Sequence, residues 1–282
     1  MTPARSTISA YIICKNEESH IRRCLESVQW CDEIVVIDSG STDETIAITN
    51  EFTTAVYFRT WTGYGDQKNF ALSLCRSDWV LNVDADEEVS VELRNAILEM
   101  LASDDSRIVG YSLLRVVRFL DLWWYAGYWY PEYRLRLGRR QEFLWSSDPV
   151  HEKATINGKK RKLKGALYHY TYSDLEHQVR RINEYSSLMA LRKFGDISQN
   201  EVGSPSIFFY LWIIFSLIVR PAFRFIRFYI IKRGFLYGIA GLVVAVNDSY
   251  YVFLKYAKIW EKHTQPTIQN TGGSKYGRAK RI

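Results

Sequence analysis

The first hundred residues of this 282-residue chain predict an α/β fold with a mostly parallel central sheet flanked by helices. Three observations carry that expectation. Short β-branched apolar runs alternate with helix-like segments, the turns between them are built of helix-capping residues, and polar groups stand just beyond several of the runs. In such sheets ligands dock outside the carboxyl ends of the strands.

The elements follow in order. Ile8–Cys14 is apolar and β-branched, and Asn16 is expected to cap a helix reaching about residue 28. Residues 33–37 form a second strand ending at Asp38, and Ser39-Gly40-Ser41-Thr42-Asp43 is a turn that caps a helix over 44–52. A third strand over 56–59 and a helix over 67–75 lead to a buried strand at 79–83, which runs into Asp84. Ser90 caps a helix over 90–101. Lys15, Asp38 and Asp84 thus fall at strand ends, on one rim.

After Gly110 the pattern changes. Strands at 111–117 and 134–137 enclose an aromatic loop over 122–131, and a hairpin is expected to turn at Asn157-Gly158. Residues 1–172 read as one domain and 173–261 as a helical region. The latter holds an amphipathic helix over 176–194 and apolar runs over 207–219 and 235–246, the first ended by Arg220-Pro221. Neither run reaches the roughly 20 residues that cross a bilayer comfortably. With Arg220, Arg224, Arg227, Lys232 and Arg233 at helical intervals, helices in or re-entering the membrane interface are expected, against a hairpin packed on the first domain. Residues 262–282 read as a basic, disordered tail.

Net charge is +6, from 37 basic and 31 acidic residues, which fits anionic lipid or a phosphorylated partner and does not demand nucleic acid. No nucleic-acid-binding pattern appears. Aromatics make up 15% of the chain, suited to sugar rings, to a membrane interface or to the core. Cys14, Cys24, Cys31 and Cys75 show no metal or disulfide spacing and read as small apolar residues in a reducing compartment. Residues 1–7 carry no apolar signal core, so the first domain is expected in the cytoplasm.

Asp84-Ala85-Asp86 is the sharpest local signal. Two carboxylates one residue apart at a strand end can share a hard divalent cation and a ribose hydroxyl. Asp38 can accept from a base N–H or a ribose hydroxyl, or simply hold its turn. Gly65-Asp66-Gln67-Lys68-Asn69 opens a helix whose N–H groups, with Lys68, can meet phosphate.

Ile12-Ile13-Cys14-Lys15-Asn16-Glu17-Glu18, Asp38-Ser39-Gly40-Ser41-Thr42-Asp43, Gln67-Lys68-Asn69 and Asp84-Ala85-Asp86 occur in order over about the first 90 residues. With them the chain resembles the family 2 glycosyltransferases of the GT-A fold. Arg134-Leu135-Arg136-Leu137, Val150-His151-Glu152 and the apolar C-terminal helices make it similar to the bacterial lipopolysaccharide-core glucosyltransferases. The resemblance implies inverting transfer of glucose from UDP-glucose to an inner-core heptose, with Mg²⁺ or Mn²⁺ as cofactor. By the same resemblance Lys15, Glu17 and Asp38 lie on the nucleotide side, with Asp38 on uracil and Lys68 on the nucleotide or diphosphate. Asp84 falls on the ribose or metal, and Asp86 on the metal. Many relatives carry a uracil-stacking aromatic where this chain has Lys15.

Inversion needs a base for the acceptor hydroxyl. Glu152 is the first candidate and Asp148 the second, with His151 beside Glu152 able to reach the metal or a phosphate. The competing reading pairs Glu152 with Lys153 or a hairpin lysine. The basic run Lys159-Lys160-Arg161-Lys162 with Lys164 can hold acceptor phosphates or the membrane surface, or be a solvated face. The expected partners are a nucleotide-sugar donor, a lipid-linked saccharide acceptor and the anionic lipids of the bacterial inner membrane, at its cytoplasmic face. Polyprenyl-phosphate glycosyl transfer and a non-catalytic nucleotide-sugar or lipid-binding relative are the alternative readings.

Overall fold

The computed structural model describes residues 5–103, 105–146, 152–198 and 206–264. The chain divides into two compact units, Met1–Gln178 and Val179–Ile282.

The first unit opens with four strands, β1 (Ile8–Cys14), β2 (Glu33–Asp38), β3 (Val56–Phe58) and β4 (Trp79–Asn82), parallel in the order β3-β2-β1-β4. Helices α1 (Ile21–Val28), α2 (Thr45–Asn50) and α3 (Tyr64–Leu74) make the crossovers. Every residue of β1 is buried because the strand is covered on both faces, which is why it reads as one apolar run. Its side chains alternate. Ile8, Ala10 and Ile12 join Ile21, Cys24 and Leu25 of α1 in one core, while Tyr11 and Ile13 join Ala71 and Leu72 of α3 in the other.

The sheet then changes sense. After β5 (Glu87–Val89) and α4 (Val91–Ser103) come β6 (Ile108–Phe119), β7 (Leu122–Trp124), β8 (Glu132–Arg139), β9 (Phe143–Trp145), β10 (Ala154–Ile156) and β11 (Lys159–His169). The order continues β4-β8-β6-β11-β5, with β8 antiparallel to both β4 and β6, and β11 parallel to β6 but antiparallel to β5. This is the expected GT-A α/β architecture, parallel in its first half and mixed in its second. Ser90 caps α4 as expected, its hydroxyl accepting from the Leu93 N–H at 3.1 Å.

Two local expectations are corrected. Asn16 does not cap α1. It sits at φ 55°, and its side chain accepts from the Thr42 N–H at 2.8 Å, so α1 starts at Ile21 without a side-chain cap. Asn157-Gly158 does not turn a hairpin either, because β10 pairs with β9 in a separate two-stranded sheet while β11 joins β6 and β5. The aromatic loop divides between core and surface. Trp124 is fully buried, with its indole N–H on the Phe119 carbonyl at 3.0 Å, whereas Tyr125 is exposed.

In the second unit, α5 (Leu175–Ser198), which begins in the first, is followed by α6 (Ile207–Ile226), a π-helical turn Arg227–Ile231, a 3-10 turn Gly234–Tyr237 and α7 (Gly238–Thr264). Pro221 does not end the helix as expected. α6 runs through it, and Arg224 beyond the proline forms a bidentate ion pair with Asp248 of α7 at 2.5 and 3.0 Å. Tertiary pairing thus outweighs the one backbone bond proline removes. The apolar runs therefore belong to longer elements than the sequence predicts. Ile207–Ile231 spans 25 residues and Gly234–Thr264 spans 31, each long and apolar enough to cross a membrane by length and composition. Phe209, Ile213, Tyr256, Ile259 and Ala190 pack together, and Lys258 donates to the Asn183 carbonyl at 2.7 Å.

Candidate active site

The carboxyl ends of β2, β1 and β4 stand side by side, so Asp38, Lys15 and Asp84 share the predicted rim. Asp38 is 5% exposed, and its carboxylate accepts from the Gly40 N–H at 2.8 Å and the Ser41 hydroxyl at 2.5 Å. Lys15 is exposed, and the Glu17 carboxylate lies 3.4 Å from His20 Nδ1. The loop after β1 is laced to the turn after β2. The Asn16, Glu17 and Glu18 N–H groups donate to Ser41 Oγ at 2.9 Å, Thr45 Oγ1 at 2.7 Å and Asp43 Oδ2 at 3.2 Å. Glu18 in return accepts from the Glu44 N–H at 3.1 Å.

The Gln67-Lys68-Asn69 motif performs three separate tasks. The Gln67 amide donates to Ser39 Oγ at 3.0 Å, and Asn69 exchanges two 2.9 Å bonds with the Trp145 backbone, clamping β9 to α3. Lys68 is 2% exposed, and its ammonium lies 3.0 Å from Asp84 Oδ1, 3.3 Å from Glu152 Oε1 and 4.4 Å from the centre of the Trp145 ring. Glu152 therefore pairs with Lys68, not with the neighbouring or hairpin lysines. Gly65 makes room for this approach. A Cβ there would stand 2.0 Å from the Ser146 carbonyl oxygen and 3.6 Å from Glu152 Cβ.

Arg136 of β8 is the group whose role the sequence left unassigned. It is buried, its guanidinium forks onto the Asp84 carboxylate and the Asn82 side chain, and it lies 3.3 Å from Glu87. Burial acts to raise the Asp84 pKa, but Arg136 and Lys68 together outweigh it and hold the carboxylate well below its ordinary range. For Glu87 burial wins, aided by the Asp84 charge, and the pKa moves up.

Asp86 points elsewhere. Its carboxylate lies 3.1 Å from Nε2 of His169, at the end of β11, and the next residue's N–H, that of Tyr170, donates to the Asp86 carbonyl at 2.9 Å. Burial acts to raise the Asp86 pKa and His169 more than offsets it, so the net shift is downward. His169 escapes sequence reasoning because it joins Asp86 only through the pairing of β11 with β5, where His169 stands opposite Glu87. His151 and Asp148 lie outside the described residues.

The chemistry of this donor set fits a divalent cation. A carboxylate oxygen and an imidazole nitrogen are donor types such an ion accepts, and here Asp86 and His169 bond to each other at 3.1 Å. Asp84, by contrast, has both oxygens engaged by Lys68 and Arg136. Among the described residues no group of three or more His, Cys, Asp or Glu forms a protein-only cage.

These features gather the charged and polar residues of the sequence motifs on one α/β rim. The chain belongs to Glycosyl transferase family 2, whose sequence profile matches residues 9–159. It is 35% identical over 269 residues to the lipopolysaccharide core biosynthesis glycosyltransferase LpsC of Rhizobium meliloti, covering 91% of this chain and 93% of that one. It is 34% identical to an uncharacterized glycosyltransferase of Rickettsia felis, covering 90% of this chain and 89% of that one. Among solved structures, S. aureus TarS 1-349 aligns with TM-score 0.41 and 17% identity over 66% of this chain and 64% of its own. Glucosyl-3-phosphoglycerate synthase from Mycobacterium tuberculosis, solved with Mn²⁺ and UDP-glucose, aligns with TM-score 0.34 and 23% identity over 40% and 44%.

Proposed function

We propose that this glycosyltransferase is a metal-dependent, inverting enzyme that moves glucose from UDP-glucose onto an inner-core heptose of lipopolysaccharide. The observation that carries the reading is the meeting of Asp84 and Glu152 on the Lys68 ammonium, at 3.0 and 3.3 Å. A carboxylate able to take a proton thereby stands one side chain away from the carboxylate pair expected to face the donor. Similarity to LpsC, named for lipopolysaccharide core biosynthesis, supports the acceptor class.

In this reading Lys15, Glu17 and Asp38 line the nucleotide side. Glu152 takes the proton of the acceptor hydroxyl, on the face of the sugar opposite the departing diphosphate. Lys68 holds that carboxylate and Asp84 in fixed relation, so attack geometry is set before the acceptor arrives. Mg²⁺ or Mn²⁺ held by Asp86 and His169 would supply positive charge beside the leaving diphosphate. Residues 1–172 act as the catalytic domain. The two apolar elements, Ile207–Ile231 and Gly234–Thr264, bring it to the cytoplasmic face of the inner membrane, with Arg227, Lys232 and Arg233 toward anionic lipid.

Radiolabelled UDP-glucose offered with a deacylated, heptose-bearing core saccharide tests the reading. The label is expected on the saccharide, with anomeric configuration opposite to the donor's. A polyprenyl phosphate belongs in a parallel reaction, because elements of 25 and 31 apolar-rich residues also suit a membrane-embedded acceptor. Label on that lipid instead would overturn the saccharide assignment, and retained configuration would overturn the inverting mechanism.

Two further results are expected. His169→Ala should weaken Mn²⁺ binding to the UDP complex by at least about tenfold in calorimetric titration, and unchanged binding would remove His169 from the metal site. Gly65→Ala should push the Ser146 backbone off α3 and carry Glu152 with it. A loss of about 100-fold in kcat is expected from a displacement near 1 Å, with the circular dichroism spectrum kept. Wild-type turnover would show that the segment does not need that close approach.

A further inference from the structure

We infer that Arg220 of α6 and Lys255 of α7 form a binding site for the phosphate of an anionic phospholipid, an assignment that rests on reading the two apolar elements as membrane-associated. The distribution of charge is the first support. Residues 207–264 carry eight Lys and Arg against two acids, Asp248 and Glu261, an excess equal to the net charge of the whole chain, +6. The surplus of cations thus lies in the two elements apolar enough to cross a membrane. Cations in such segments pair with acids or carbonyls, or reach lipid phosphates at the interface.

The cations of the helical pair differ in how they are satisfied. Arg224 is matched by Asp248 in the bidentate pair at 2.5 and 3.0 Å. Lys258 donates to the Asn183 carbonyl at 2.7 Å and to the Ser186 and Ser187 hydroxyls at 2.8 and 2.7 Å. Among the described residues, Arg220 donates only through Nε, to Ser216 Oγ at 3.1 Å, and the outer fork of its guanidinium meets no carboxylate. Lys255 is half-buried, and among the described residues it makes neither a hydrogen bond nor an ion pair. These two cations instead share one ring. The Arg220 guanidinium lies 5.3 Å and Lys255 Nζ 4.5 Å from the centre of Tyr256, which is itself buried.

An aromatic ring attracts a cation but leaves its N–H groups without acceptors. Two like charges at one ring also repel each other, and Arg224, one turn beyond Arg220, adds a third that Asp248 alone balances. An anion between Arg220 and Lys255 relieves both deficits. A phosphate suits them, because its free oxygens accept from a guanidinium fork and an ammonium together. The bond to the fully buried Ser216 steadies the guanidinium for that contact.

The surroundings select a lipid as the bearer of the phosphate. Phe215, Ile218, Val219 and Phe223 flank Arg220 on α6 and are exposed, as is Phe253 two residues before Lys255 on α7. A free phosphate would leave these faces in water, whereas acyl chains below a headgroup cover them.

The test incubates the full chain, in an uncharged detergent, with graded phosphatidylglycerol and measures the phosphorus retained per protein after gel filtration. The wild type is expected to retain lipid saturably. Arg220→Gln and Lys255→Gln should each need at least about tenfold more lipid for half-saturation, as loss of a charged hydrogen-bond donor predicts, while UDP binds as before. Lys255→Gln removes a cation that no acid matches, so it keeps the helical pair folded and carries the test even where Arg220→Gln proves unstable. Lys262→Gln changes the net charge equally and should retain lipid as the wild type does. An equal loss there would reduce the effect to bulk charge and overturn the site. Wild-type retention in Lys255→Gln and in a folded Arg220→Gln overturns it too, as does displacement of the lipid by an equal concentration of inorganic phosphate. Vesicle flotation separates the site from the reading beneath it. A wild type that floats with phosphatidylcholine vesicles yet retains no phosphatidylglycerol overturns the phosphate site alone. One that floats with vesicles of neither lipid overturns the membrane reading and the site with it.

Discussion

Glu152→Gln is expected to lower the transfer rate by about 10²- to 10⁴-fold, the range for loss of a positioned general base, while UDP affinity changes little. The amide is nearly isosteric and can still accept from the Lys68 ammonium, 3.3 Å from the native carboxylate. It cannot take a proton from an acceptor hydroxyl. The contrast with Lys68→Met is diagnostic. That change leaves Asp84 and Glu152 without their shared cation, so donor affinity and turnover should fall together. Single-turnover kinetics with UDP-glucose, beside calorimetric UDP binding, separates the two. Wild-type turnover in Glu152→Gln would remove Glu152 from the chemistry and leave it as the partner of Lys68.

Arg136→Met should destabilise the protein by about 3–5 kcal/mol near neutral pH, the cost of breaking a buried pair from one side. Arg136 is 5% exposed and faces Asp84, Glu87 and Asn82. A methionine of similar length fills its space but leaves Glu87, itself 1% exposed, to bear its charge against Asp84 with much less compensation. In the wild type the Asp84 pKa is depressed in the folded state. Its contribution to stability is therefore complete above the unfolded-state value and is lost as pH falls through the folded one. In the variant, burial and mutual repulsion raise both acids, so protonation relieves the penalty. The stability gap between the two proteins should thus shrink as the medium is acidified from about pH 7 toward about pH 4. Urea unfolding across that range checks it, and a gap that widens with acid would contradict the ion-pair account.

What could be read from the sequence divides by whether the physics is local. β1, β2 and β4 declare themselves because a parallel strand covered on both faces must be apolar throughout, and the polar residues that end them then fall on a common rim. Lys68 and Asp84 were legible as separate motifs, each with its own spacing. That one ammonium joins Asp84 to Glu152 was not, because it depends on α3 packing against the segment that follows β9. His169 and Arg136 were unreadable for the same reason. Their partners are supplied by sheet order, and β8 and β11 enter the sheet far from their neighbours in sequence.

The misread punctuation is equally physical. Asn157-Gly158 is a strong hairpin signal, yet Gly158, at φ 138°, only redirects the chain from the small sheet into the large one. Asn16 is a good cap residue that finds a better donor in the Thr42 N–H across the rim. Pro221 weakens one turn of a helix that Arg224 and Asp248 hold from beyond it. In each case a tertiary partner overrides a sound local preference.

The lacing of the loop after β1 to the turn after β2 has a thermodynamic consequence. Five of the hydrogen bonds that cross between them join a backbone N–H to a side-chain oxygen. Such loops are ordered before any ligand docks, so little conformational entropy remains to be lost when one does. Amide hydrogens of Glu17 and Thr42 should accordingly exchange slowly in the free protein. Ligand binding on that side should then register in the calorimeter as desolvation and charge contact, with hardly any signature of folding.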